Sequence, residues 1–89
     1  MPSVHLIIKG KVQGVYYRAS AREMALDLSL TGWIKNTPQG HVEIFATGPQ
    51  DTLQRFIDWC RQGPADAVVT DIAIQPMPDT AFPDFSIRR

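Results

Sequence analysis

Gly10-Lys11-Val12-Gln13-Gly14-Val15-Tyr16-Tyr17-Arg18 is the stretch on which the fold of this chain turns. Two glycines bracket a bend between an apolar run, Val4 to Lys9, and an amphipathic one, Ala19 to Leu30. In the first run Val4, Leu6 and Ile8 share a face at the twofold spacing of a β-strand. In the second, Ala21, Met24, Ala25 and Leu28 recur at i, i+3, i+4, i+7, which predicts a helix, and Ser29 to Gly32 supplies its stop. A glycine-permitted turn can aim successive backbone N–H groups into one concavity. The helix N-terminus behind it adds unpaired N–H groups and a partial positive charge, so the bend suits a small anion such as a phosphate or carboxylate. Taken alone, the segment reads rather as an ordinary strand-to-helix turn with a surface arginine.

The flanking sequence supplies the rest of the architecture. Trp33 to Asn36 predicts a short strand, Thr37-Pro38-Gln39-Gly40 a tight turn, and His41 to Thr47 the returning strand of a hairpin. On that returning strand Val42, Ile44 and Ala46 take one face and His41, Glu43 and Phe45 the other. Gly48-Pro49 opens a second helix, in which Leu53, Phe56, Ile57 and Cys60 repeat the helical spacing and Gly63-Pro64 ends it. Ala67 to Ile74 predicts another strand, with alternation slipping between Val69 and Ile72 as at a bulge. Phe85 and Ile87 predict a short final edge strand. The order β-α-β-β-α-β with right-handed crossovers implies an α+β, ferredoxin-like sandwich: an antiparallel sheet, both helices on one face, and a short fifth strand. Its first and third strands are central neighbours.

Composition narrows the function. Eighty-nine residues fit one domain spanning 1–89, and 44% apolar residues suffice for a core. Nine basic and nine acidic side chains cancel, which argues against a general nucleic-acid binder and confines any anion site to a local feature. No apolar run reaches the length of a membrane span, and Met-Pro-Ser-Val-His lacks the parts of a signal peptide. Cys60 is the single cysteine, so no internal disulfide forms and a cytoplasmic setting is expected. With His5 and His41 far apart, no metal-ligand spacing appears, and neither a metal nor another cofactor is expected. A monomer is the default for so small a domain.

Arg18 supplies a planar guanidinium that can grip two oxygens of a tetrahedral anion. Val15, Tyr16 and Tyr17 are expected to pack beneath the loop and hold its shape. The loop is not a Walker A sequence, has no cysteine nucleophile, and no Ser/His/Asp set accompanies it. Positioned water is therefore the nucleophile expected of any phosphoryl chemistry here.

The stretch Gly10 to Arg18 closely resembles the first signature of the acylphosphatases, and Gly32-Trp33-Ile34-Lys35-Asn36-Thr37-Pro38-Gln39-Gly40-His41-Val42-Glu43 resembles their second. Gly63-Pro64-Ala65 and Phe85-Ser86-Ile87 are similar to that family as well. The resemblance implies metal-free, cofactor-free hydrolysis of a small-molecule acyl phosphate to a carboxylate and inorganic phosphate. It implies that Arg18, with the backbone amides of Gln13, Gly14, Val15, Tyr16, Tyr17 and Arg18, binds the phosphoryl group, and that Asn36 orients the attacking water. Two departures stand out: Tyr17 where phenylalanine is common, and Pro38-Gln39-Gly40 where an Asp-Gly turn is usual.

Outside these motifs, His5 and His41 are expected on strand surfaces, Cys60 inert on an inner helix face, and Trp33 and Trp59 in packing. Glu43 is either a solvated strand residue or a structural hydrogen-bond partner. Lys11 either faces solvent or adds positive potential near the loop. Two other functions fit the fold: a non-catalytic anion-binding or regulatory module, and an RNA-binding sandwich, which would need exposed aromatics on central strands and a basic face.

Overall fold

In the computed structural model, which describes residues 1–88, the chain runs β1 (Ser3–Lys11), α1 (Tyr17–Asp27), β2 (Thr31–Asn36), β3 (Val42–Thr47), α2 (Gln50–Gln62), β4 (Val68–Met77) and β5 (Phe85–Ile87). The strands form one sheet in the order β4-β1-β3-β2-β5. The first four strands pair antiparallel, as expected, and β5 joins β2 in parallel at the edge. The anticipated short fifth strand therefore makes the sheet mixed rather than wholly antiparallel.

Alternation decides which side chains are buried. Val4, Leu6 and Ile8 of β1, Ile34 of β2 and Val42, Ile44 and Ala46 of β3 turn inward toward the helices. They meet Ala21 and Ala25 of α1 and Leu53, Phe56, Ile57 and Cys60 of α2 in a single core cluster. Two small alanines on α1 let it lie close to the sheet, while the larger side chains of α2 fill the remaining depth. Each large aliphatic or aromatic side chain so buried stabilises the fold by roughly 1.5–3 kcal/mol before conformational entropy is counted. Among the described residues, no helix is long and apolar enough to cross a membrane.

The slip in β4 alternation is a bulge. Lys9 pairs with Asp71 but Gly10 pairs with Val69, so Thr70 is the extra residue. Gly10 adopts φ 122°, and a Cβ there would lie 2.1 Å from the Val68 carbonyl oxygen. Only glycine lets the backbones approach this closely at the point where β1 feeds the loop.

Helix α1 begins two residues before the expected Ala19 and ends at Asp27 rather than Leu30. Its N-cap, Tyr16, is left-handed at φ 63°, ψ 22°, and its carbonyl already accepts the Ser20 N–H at 3.0 Å. At the other end the Ser29 N–H donates to Leu26 O at 3.0 Å and the Leu30 N–H to Ala25 O at 2.9 Å, with Ser29 at φ 58°. This is a Schellman stop with serine in the position glycine fills best. Ser29→Gly is expected to raise stability by about 0.5–1 kcal/mol, a rise of roughly 4 °C in Tm measurable by thermal denaturation.

Candidate active site

Strand register brings the two motifs together. Ile8 pairs with Val42, and Val42 pairs with Asn36, so the end of β1, the start of β3 and the end of β2 line up across the sheet. Directly opposed residues share a face, and Val42 is fully buried on the helix side. Asn36 therefore lies on that side, level with the loop that leaves β1.

A side chain then fastens the loop to the hairpin. The Gln13 amide Nε2 donates to the carbonyl oxygens of Thr37, at 2.9 Å, and His41, at 2.8 Å. Those two carbonyls belong to the turn that follows Asn36. The turn is closed by its own bonds, from Thr37 N–H to His41 O at 2.9 Å and from Gly40 N–H to Thr37 O at 3.1 Å. One carboxamide thus holds residues 13 to 18 at a fixed distance from residues 36 to 41. The sequence assigned Gln13 only a backbone role, and its side chain was the missing tie. Gln13→Ala is expected to cost about 1–2 kcal/mol of stability, measured by denaturant titration.

Within the loop, Gly14 is left-handed at φ 74° with open space around its α-carbon, and Tyr16 is left-handed two residues later. Left-handed residues spaced in this way curve the backbone, which can then direct its N–H groups inward. The first N–H groups of α1 lack intrahelical partners by the geometry of any helix start. No side chain caps them, and no acidic residue occupies the first turn. The contrast with α2 is instructive, because that helix carries Asp51 in its first turn, and Asp51 Oδ1 accepts the Thr52 N–H at 2.9 Å. The N-terminus of α1 has its positive end uncompensated, as an anion site requires.

Val15 and Tyr17 pack inward as expected, at 8% and 1% exposure, but Tyr16 does not. Its left-handed backbone turns the ring away from the core, leaving it 83% exposed. Tyr17, by contrast, buries its ring, and its hydroxyl donates to the Cys60 carbonyl at 2.7 Å. This bond satisfies the polar atom that phenylalanine would not carry. Burial raises the Tyr17 phenol above its ordinary value and pushes the Cys60 thiol up to about 12, so Cys60 stays an unreactive thiol at neutral pH.

Arg18 in the first turn of α1 and Asn36 at the end of β2 line one open cleft of about 810 Å³, with Val12, Gly14, Tyr16 and Ile87. None of the ion pairs among the described residues involves Arg18. Asn36 Oδ1 is buried, and no hydrogen-bond donor among the described residues reaches it. A buried acceptor without a protein partner is costly for the fold, and such a group is retained where it serves a ligand or a water.

The remaining candidates fall elsewhere. His5 Nε2 lies 2.7 Å from Glu43 Oε2, and Lys35 Nζ lies 3.6 Å from Glu43 Oε1, so Glu43 is a structural partner. Their strand positions, alternating with Leu6, Ile34 and Val42, put all three on the face away from the helices. Trp33 and Phe45 pack beside His5 there, with ring centroids 6.5 and 6.4 Å away. Lys11 is exposed on β1. Among the described residues, no group of three or more His, Cys, Asp or Glu side chains is placed to hold a metal.

A family model of the acylphosphatases matches residues 4–87. Among curated relatives, an acylphosphatase of Marinobacter nauticus is 51% identical over 82 residues, covering 91% of this chain and 89% of the relative. One of Methylococcus capsulatus is 43% identical over 90 residues, covering 100% of this chain and 98% of the relative. The crystal structure of acylphosphatase from Bacillus subtilis is similar to this fold with a TM-score of 0.97 at 36% identity, each chain being covered at 100%.

Proposed function

We propose that this chain, which belongs to the acylphosphatase family and hydrolyses acyl phosphates, does so with Arg18, the amides of residues 13 to 18, and Asn36. Arg18 and the loop amides hold the phosphoryl group, and Asn36 aims water at it. The observation that carries this mechanism is the Gln13 clasp, which places the loop and the Asn36 strand end in one cleft.

Phosphoryl transfer spreads negative charge over the equatorial oxygens, and fixed amides plus a guanidinium stabilise that charge without reorganising. The water oxygen attacks phosphorus in line, the bond from phosphorus to the acyl oxygen breaks, and the carboxylate leaves with that bond's electron pair. A carboxylate whose conjugate acid has a pKa near ~4 needs no protein general acid. Asparagine is not a base strong enough to take the water proton, which passes to the phosphoryl oxygens or to solvent. Asn36 Oδ1 has acceptor capacity to spare for an O–H of that water.

Arg18 and the amides supply the electrostatic stabilisation in this scheme, so no step in it calls on a metal. We place it in the cytoplasm, on the strength of a single cysteine held as a buried thiol, and take a monomer as the default for so small a domain. Hydrolysis of benzoyl phosphate, measured with and without a chelator and with inorganic phosphate as competitor, tests the mechanism. Turnover unaffected by the chelator and inhibited competitively by phosphate is the expected result. Loss of turnover on chelation would overturn the metal-free mechanism.

A further inference from the structure

We propose that Tyr16 is the specificity residue of this cleft, and that its ring receives flat, apolar acyl groups of the phosphorylated substrate; this rests on the mechanism assigned to Arg18 and Asn36. Among the described residues six large hydrophobic side chains are exposed, and Tyr16 is the most exposed of them at 83%. Of these six only Tyr16 and Ile87 line the cleft. An exposed aromatic ring on a left-handed residue is an expensive placement, because it strains the backbone and forgoes burial. A ring held at the mouth of a cleft recovers that cost by covering a ligand.

In-line displacement says which of the two rim residues the acyl group meets. Water attacks from the Asn36 side, so the leaving group departs on the opposite side of phosphorus. In the strand order β4-β1-β3-β2-β5 the loop bearing Tyr16 follows β1, Asn36 ends β2, and Ile87 lies beyond it on β5. The acyl group therefore points toward the Tyr16 loop and away from Ile87. Charge fixes the class of acyl group. Arg18 is the single charged side chain among the described residues lining the cleft, and the phosphoryl group engages it. An acyl group with its own carboxylate would find no second cation, whereas a flat apolar one can cover the Tyr16 ring.

The test compares kcat/KM for benzoyl phosphate with that for acetyl phosphate in the native protein, Tyr16→Gly, Tyr16→Phe and Ile87→Ser. Glycine keeps the left-handed backbone without its ring, and any effect on the cradle is common to both substrates and cancels in the ratio. The benzoyl-to-acetyl ratio is expected to fall about tenfold in Tyr16→Gly and to hold in Tyr16→Phe and Ile87→Ser. An unchanged ratio in Tyr16→Gly, or an equal fall in Ile87→Ser, overturns the assignment while leaving the hydrolytic mechanism standing. A native protein that turns over neither substrate removes the mechanism and this inference together.

Discussion

Arg18→Ala is expected to lower kcat/KM for an acyl phosphate by at least about 1,000-fold and to abolish competitive inhibition by inorganic phosphate. Both losses have one origin, since the same guanidinium meets the phosphoryl oxygens in the ground state and the transition state. The side chain makes no ion pair among the described residues, so the substitution breaks no salt bridge and the Tm should move little. Arg18→Lys separates charge from shape. It keeps a cation at the start of α1 but loses the planar fork, and most of the activity should stay lost. A lysine variant with near-native turnover would show that positive charge alone suffices. Steady-state kinetics with phosphate as inhibitor, alongside thermal denaturation, distinguishes these outcomes.

Asn36→Ala is expected to behave differently. Its kcat should fall by about 100- to 1,000-fold, in the range for removal of one preorganised polar group, while the inhibition constant of phosphate changes little. The stability readout is as informative as the kinetic one. Because no donor among the described residues reaches Asn36 Oδ1, alanine breaks no protein hydrogen bond there and removes a buried acceptor that costs the fold about 1–3 kcal/mol when unpaired. The variant should therefore be at least as stable as the native protein. Normal turnover in a folded Asn36→Ala protein would remove the water-orienting role. Inactivity caused by unfolding would appear at once as a lowered Tm.

Much of the fold was legible because apolar spacing alone determines it. Leu53, Phe56, Ile57 and Cys60 stand at helical spacing, and all four are buried in α2. The alternation of Val42, Ile44 and Ala46 on β3 was legible for the same reason. Where a backbone dihedral decides, the sequence was silent. Tyr16 and Tyr17 are adjacent and identical in type, yet one is fully out and the other fully in, because Tyr16 takes the left-handed conformation. That same residue starts α1 earlier than the apolar pattern indicated.

The roles assigned to Arg18 and Asn36 came from family resemblance, since neither residue type announces phosphate chemistry by spacing. Gln13 shows the limit most clearly. Its partners are two main-chain carbonyls, 24 and 28 residues away, and a carbonyl leaves no mark in a sequence. Only the register of β1, β3 and β2 reveals that they lie within its reach.

The buried Tyr17–Cys60 arrangement also sets how the protein responds to alkali. Their ordinary values are 10.0 for the phenol and 9.0 for the thiol, and the fold raises both. Above about pH 9 an unfolded chain releases protons that the folded chain keeps, so stability falls as pH rises, while below that these two groups contribute no slope. No histidine, cysteine or carboxylate side chain of the protein takes part in the proposed reaction. The alkaline limit of activity is accordingly expected to follow the melting temperature, scanned from pH 7 to pH 10.5, rather than the titration of a catalytic group. In this protein a buried phenol and thiol that the proposed reaction does not use would act as the proton gauge of the enzyme.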